Sequence, residues 1–200
     1  AQMALACWKS EVLEMGPAKL GHTGANSGCT ARNPEVSVIL DGTIYNAGAL
    51  GEGTDAEIIL QLYEQNGFTD ALNHLNGDFA IALFDSKSGE LWLGRDRIGV
   101  KPLYYAQTVD GFAFSSRCKS LLQLSGVSRE PNRQYVALVA ASHYRHFDNQ
   151  TEKSPYQGIA QLPAASWLRV KDGDQRVGTY WELKDLPDWE DEEEKLAQRY

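Results

Sequence analysis

Residues 79–93 read Phe79-Ala80-Ile81-Ala82-Leu83-Phe84-Asp85-Ser86-Lys87-Ser88-Gly89-Glu90-Leu91-Trp92-Leu93. Two apolar runs, 79–84 and 90–93, flank a polar segment whose glycine stands near the point where a hairpin needs positive φ, so the stretch predicts an antiparallel strand pair. Downstream, Leu103-Tyr104-Tyr105 and Phe112-Ala113-Phe114 flank Asp110-Gly111, a second hairpin signal. Upstream, Val36-Ser37-Val38-Ile39-Leu40 reads as a buried strand ended by the turn signal Asp41-Gly42, with a tight loop to follow. Residues 159–170 and 178–181 complete the strands.

Helical periods interrupt this β pattern. Ala56, Ile59, Leu60 and Tyr63 recur at helical spacing behind Thr54 or Asp55, either of which can cap the first turn, and Gly67 ends a helix of about three turns. Residues 69–75 give a shorter helix closed by Asn76-Gly77, and Ser115 leads into another carrying Leu121 and Leu122. Pro131 sits as a first-turn proline before Tyr135, Val136, Leu138 and Val139, an apolar face reaching about Ser142. The middle of the chain is thus a layered β-meander bracketed by helices, an α+β arrangement.

Two hundred residues, 42% hydrophobic and 23% charged, suffice for one sizeable domain. Nineteen basic against twenty-seven acidic side chains give a formal charge of -8 without any basic run, which argues against nucleic acid as partner. No apolar stretch approaches the roughly 20 residues of a membrane helix, and residues 1–7 lack the zones of a signal peptide, so the expectation is a soluble, cytoplasmic protein without membrane contact. Cys7, Cys29 and Cys118 fit neither a disulfide framework nor a zinc motif.

Four blocks in order carry a resemblance: Asp41-Gly42-Thr43-Ile44-Tyr45-Asn46, Thr54-Asp55-Ala56-Glu57, Leu75-Asn76-Gly77-Asp78-Phe79-Ala80, and residues 95–105, Arg95-Asp96-Arg97-Ile98-Gly99-Val100-Lys101-Pro102-Leu103-Tyr104-Tyr105. With residues 114–122 and Gln161-Leu162-Pro163 they resemble, from about residue 36 to 181, the amino-terminal glutaminase domain of asparagine synthetases. The resemblance implies an N-terminal-nucleophile hydrolase fold: a four-layer αββα sandwich of two antiparallel sheets. It also implies a chain partitioned into that domain, 1–184, and an acidic linker, 185–200, opening a carboxy-terminal ATP-binding synthetase domain.

Set against that family, the residues for catalysis are missing. An active member begins with Cys, whose thiol attacks the glutamine amide while its α-amine handles the proton; here Ala1, Gln2 and Met3 come first. Cys7 could serve only after removal of residues 1–6, or a Cys could lie upstream of Ala1. The family's oxyanion hole is an Asn side chain and the next Gly N–H. Here Asp41-Gly42 occupies that place; an ionised Asp41 offers no donor and would add repulsion of ~1 to 4 kcal/mol. Loss of one such donor typically costs about 100- to 1,000-fold in turnover. The Arg that grips the substrate carboxylate is absent in either alignment of residues 21–28. Asp55 matches the family's Asp for the glutamine amino group and equally reads as a helix cap.

The expectation is therefore a degenerate pocket of Asp41, Gly42 and Asp55, with no catalytic residue, cofactor or metal, in a domain that scaffolds an amide-forming partner domain. Glutamine or a related amino acid would bind only if the pocket is retained, and a homodimer is compatible with the resemblance. The alternative is an active glutaminase whose Cys start is replaced or missing. Three lesser signals take plain readings. His143 and His146 read as solvent-facing, Gly21, Gly24 and Gly28 as a flexible turn, and Arg95 and Arg97 as partners of nearby carboxylates such as Asp78 or Asp85.

Overall fold

A computed structural model of the chain describes residues 29–141 and 152–183 with their side chains, and the backbone of a hairpin of β1 (Ser10–Met15) and β2 (Ala18–Thr23). Residues 79–93 form the predicted hairpin, longer at both ends: β5 (Gly77–Asp85) pairs antiparallel with β6 (Glu90–Arg95), and Gly89 adopts φ 68° in the turn. These two are the middle of a six-stranded sheet. On one side lie β4 (Val36–Ile44) and β3 (Thr30–Arg32); on the other, β10 (Ser166–Lys171) and β11 (Asp174–Thr179), all antiparallel. The second predicted hairpin, β7 (Tyr104–Thr108) with β8 (Gly111–Ser115), joins β9 (Ala160–Gln161) in a three-stranded sheet.

Alternation along β5 explains the layering. Phe79, Ile81 and Leu83 face α2 (Asp55–Asn66), which follows the short α1 (Ala47–Leu50), and α3 (Phe68–His74), where Ile58, Ile59, Phe68 and Leu72 complete one core. Ala80 and Ala82 face the other way and, with Leu93 and Leu168, meet Leu103, Leu162 and Phe114 beside and on the smaller sheet. Small alanines let the two sheets approach. Beyond the smaller sheet, Ala106 packs on Leu121 of α4 (Cys118–Leu121) with Val127 and Ile159. Helix, sheet, sheet, helix is the four-layer αββα sandwich expected.

Several boundaries depart from the sequence reading. The strand from Val36 does not stop at Asp41-Gly42 but runs to Ile44, pairing Gly42 with Phe79 and Ile44 with Gly77. Gly42 carries the strand on through φ 142°, a conformation that glycine tolerates, in place of a turn. Thr54, not Asp55, caps α2, in a reciprocal capping box with Glu57. Pro131 precedes the cap of α5 (Arg133–Ala140); Asn132 accepts from the Tyr135 N–H and does the capping. Residues 159–170 split at Ala165, φ 54°, and β10 turns at Asp172-Gly173 into β11, a hairpin not foreseen. Gly21 and His22 lie on β2, while Gly24, Gly28, His143, His146 and the acidic segment 185–200 fall outside the described residues. No helix among the described residues is long and apolar enough to cross a membrane.

Candidate functional site

The predicted pocket residues gather where β4 ends and the antiparallel β5 begins. Asp41 follows Ile39 on the face turned toward the smaller sheet, since the even-numbered Val38 and Leu40 are committed to the helix-facing core. Gly42, next along, lies so close to β5 that a Cβ would stand 1.9 Å from the Asp78 carbonyl oxygen; Gly77 reciprocates, its Cβ meeting the Thr43 carbonyl at 2.2 Å. The glycine is therefore required by strand approach before any ligand is considered. Asp55, in the first turn of α2, accepts the Ile44 N–H on Oδ2 at 2.8 Å and so ties the helix start to the strand end. Its other carboxylate oxygen has no hydrogen bond among the described residues.

Tyr45 and Asn46, which follow, also have partners within the chain. The Tyr45 hydroxyl donates to Asp78 Oδ2 at 2.6 Å, which raises the phenol's pKa first by that hydrogen bond. Asn46 donates to the His74 carbonyl and accepts the Asn76 N–H, holding the turn before β5.

Sequence reasoning missed the cation. Lys101 Nζ stands 3.1 Å from Asp41 Oδ1, with the two side chains about one-third and two-fifths exposed. The lysine lies sixty residues away, and no local signal connects it to Asp41; only the packing of two strand ends does. The expected negative charge at position 41 is thus countered by an ammonium within hydrogen-bond range. Such a partly exposed pair contributes little to stability, ~0–1 kcal/mol, and offsets part of the negative charge of Asp41.

The loop that carries Lys101 is tightly held. Asp96, fully buried, accepts the N–H groups of Ile98 at 3.2 Å, Val100 at 2.9 Å and Lys101 at 2.9 Å. Arg95, 6% exposed, donates to the carbonyls of Lys101, Gly99 and Leu162 at 2.6 to 2.7 Å. With its amide turned so that both its ends are satisfied, the Gln161 oxygen accepts two further Arg95 bonds at 2.8 and 3.0 Å. Arg95 therefore serves carbonyls and an amide, not the carboxylates expected from the sequence. Those are engaged elsewhere: Asp78 with Tyr45, and Asp85 with the Tyr63 hydroxyl at 2.8 Å. Arg97 likewise bonds the Asn73 carbonyl and lies 5.6 Å over the Trp181 ring.

Cys29, immediately before β3, is 8% exposed. Burial raises its thiol pKa, the Asp41 and Asp55 charges raise it further, and Lys101 acts in the opposite sense. It is a poor nucleophile, because thiolate is disfavoured there. Cys118 is raised as well, chiefly by burial.

A sequence profile described as "Glutamine amidotransferase domain" matches residues 7–181. A Methanocaldococcus jannaschii protein, provisionally named glutamine-hydrolyzing asparagine synthetase 2, is 34% identical over 164 residues, covering 76% of this chain and 31% of that protein. Asparagine synthetase 2 (glutamine-hydrolyzing) of Bacillus subtilis is 27% identical over 163 residues, covering 76% and 22%. The chain thus spans less than a third of the length of these curated relatives. Among solved structures, the glutamine phosphoribosylpyrophosphate amidotransferase of B. subtilis superimposes with TM-score 0.55 at 14% identity over 82% of this chain and 35% of that one, a likeness of fold.

Proposed function

Because the chain belongs to the glutamine amidotransferase domain family, in the form homologous to the amino-terminal domain of asparagine synthetases, we propose that it is a non-hydrolysing member. In this reading it serves, in the cytoplasm, as a scaffold for an ATP-dependent amide-forming domain. The observation that carries the proposal is Asp41 held by Lys101 at 3.1 Å where acyl-transfer chemistry needs a neutral donor aimed at a developing oxyanion. A carboxylate there has no proton to give, and its counter-ion is spent on it. Thr43, exposed and paired in register with Asp78, adds no charge of its own. The nearest described thiol, Cys29, has a raised pKa, and its own α-nitrogen is tied up in a peptide bond with Gly28.

The test is ammonia release from glutamine by the purified protein, followed by a coupled dehydrogenase. The expected result is no rate above buffer, unchanged by thiol alkylation. Sustained, glutamine-dependent release that alkylation abolishes would establish the opposite reading, an active glutaminase feeding ammonia to its partner domain.

A further inference from the structure

β9 pairs only with Tyr104 and Tyr105, so β7 runs on past it with that edge uncovered. A cleft of about 330 Å³ opens there, at the small end of the roughly 300–1,000 Å³ of ligand pockets. Neither Asp41, Gly42, Asp55 nor Lys101 lines it, so it shares nothing with the strand-end pocket. Main-chain groups face this cleft. The Leu103 carbonyl accepts the Leu162 N–H at 2.8 Å, and the Val109 N–H reaches the Ser125 carbonyl at 3.2 Å, so alternate residues of β7 turn their main chain to this edge. Gln107 lies between them, and its N–H and C=O meet no described partner.

The side chains of the wall are mostly neutral and polar. Gln107, Asn132, Gln157 and Gln175 bring carboxamides, each able to donate and to accept. Gln175 Nε2 donates to Gln107 Oε1 at 2.9 Å, which orients both side chains and leaves the Gln107 amino group and the Gln175 oxygen without a described partner. The Tyr105 hydroxyl is likewise unspent among the described residues. Burial first, then the Glu152 charge, raises its pKa, so it stays a neutral phenol with a proton to donate. The rings of Tyr105 and Tyr156, over a floor of buried Ala106 and Ile159, add apolar surface. Glu152 and Lys153 both line the cleft and their charges balance; the lysine ammonium is held by Gln134 Oε1 at 2.7 Å. A ligand gains little here from net charge. A molecule whose every polar group both donates and accepts, carried on a C–H face that suits an aromatic ring, matches this wall.

We propose that the cleft at the end of β9 binds an uncharged polyhydroxylated ligand, a mono- or disaccharide, through the carboxamides of Gln107 and Gln175, the Gln107 main chain and the Tyr105 hydroxyl. The tyrosine rings pack against its C–H face. The inference goes beyond the non-hydrolysing reading and does not depend on it, because the two sites have no residue in common.

Two-dimensional NMR of the isotope-labelled 200-residue chain tests this by titration with glucose, galactose, maltose and lactose, and with glucosamine and glucuronate as charged counterparts of glucose. At least one neutral sugar should move the signals of Gln107, Gln175 and residues 152–160 together, with a Kd in the millimolar range. Gln107→Leu should weaken that sugar about tenfold or more, the loss expected when its hydrogen bonds go unmade. Glu152→Gln should leave it within about threefold, because a carboxamide still accepts and the ligand carries no charge for the carboxylate to hold. A dispersed spectrum from each variant checks that it is folded. No concerted shift with any sugar at roughly 100 mM, or undiminished binding in Gln107→Leu, overturns the inference. So does binding of glucosamine or glucuronate more than about tenfold tighter than glucose, since charge would then select the ligand. Ammonia release from glutamine would sink the non-hydrolysing reading and leave the sugar titration as it stands.

Discussion

Replacing Gly42 by Ala separates two reasons for a glycine at the pocket: ligand approach and strand pairing. The added Cβ would stand 1.9 Å from the Asp78 carbonyl oxygen and 2.9 Å from the Phe79 Cα, where ordinary contacts begin near 3.4 Å. These neighbours are backbone of β5 in the middle of the larger sheet, so no side chain can swing away. The backbone angle, φ 142°, adds a conformational penalty of ~1–3 kcal/mol. Forcing the strands apart adds overpacking strain of ~1–3 kcal/mol. The expected destabilisation is roughly 2–6 kcal/mol, against a total stability of about 5–15 kcal/mol for an ordinary domain. Urea unfolding followed by tryptophan emission measures it, with Gly48→Ala as control because nothing lies within 4 Å of a Cβ there. The control should stay within about 1 kcal/mol of the parent. If Gly42→Ala did the same, strand approach would not be what demands glycine, and the reasoning fails.

Asp96→Ala leaves three N–H groups without their acceptor and should lower stability by ~2–4 kcal/mol, a fall of about 4–16 °C in Tm; an unchanged Tm would show the loop held by other means. Gly178→Ala places a Cβ 2.4 Å from the Trp167 ring, whose centroid lies 5.5 Å from that of Trp92. The indole must move, at ~1–3 kcal/mol, and the near-ultraviolet circular dichroism should change; identical spectra would contradict the packing described. At Asp85, burial alone would raise the carboxyl pKa, but hydrogen bonds from the Tyr63 hydroxyl and the Ser88 and Lys87 N–H groups outweigh it and hold the carboxyl below its ordinary value. A carboxyl depressed in this way adds stability at pH values above its unfolded pKa, near 4, and that stability is lost as pH falls through the lower folded value. Tyr63→Phe should therefore lessen the loss of stability below about pH 4; an acid limb of the same steepness in parent and variant would exclude the bond as its source.

Two of the hairpins and most of the helices were legible in the sequence, because their causes are local. Gly89 and Gly111 sit where turns need unusual φ, Thr54 and Glu57 are three residues apart as a capping box demands, and alternation along 79–84 separates two buried faces. The ordered blocks between Asp41 and Tyr105 also made the family legible, and with it Asp41, Gly42 and Asp55 as the residues to inspect. Tertiary structure alone decided what those residues do. Asp41 and Lys101 are sixty positions apart, and their contact exists only because β4 and β6 end at the edge where β5, paired between them, begins. The signal for a turn at Asp41-Gly42 was real but outweighed, since pairing with β5 extended the strand to Ile44. Arg95 looked like one half of an ion pair, yet burial among carbonyls gave it five neutral acceptor contacts instead. Charge and spacing in a chain state which groups are available; which of them meet depends on the close approach of distant backbone, and that is a property of packing.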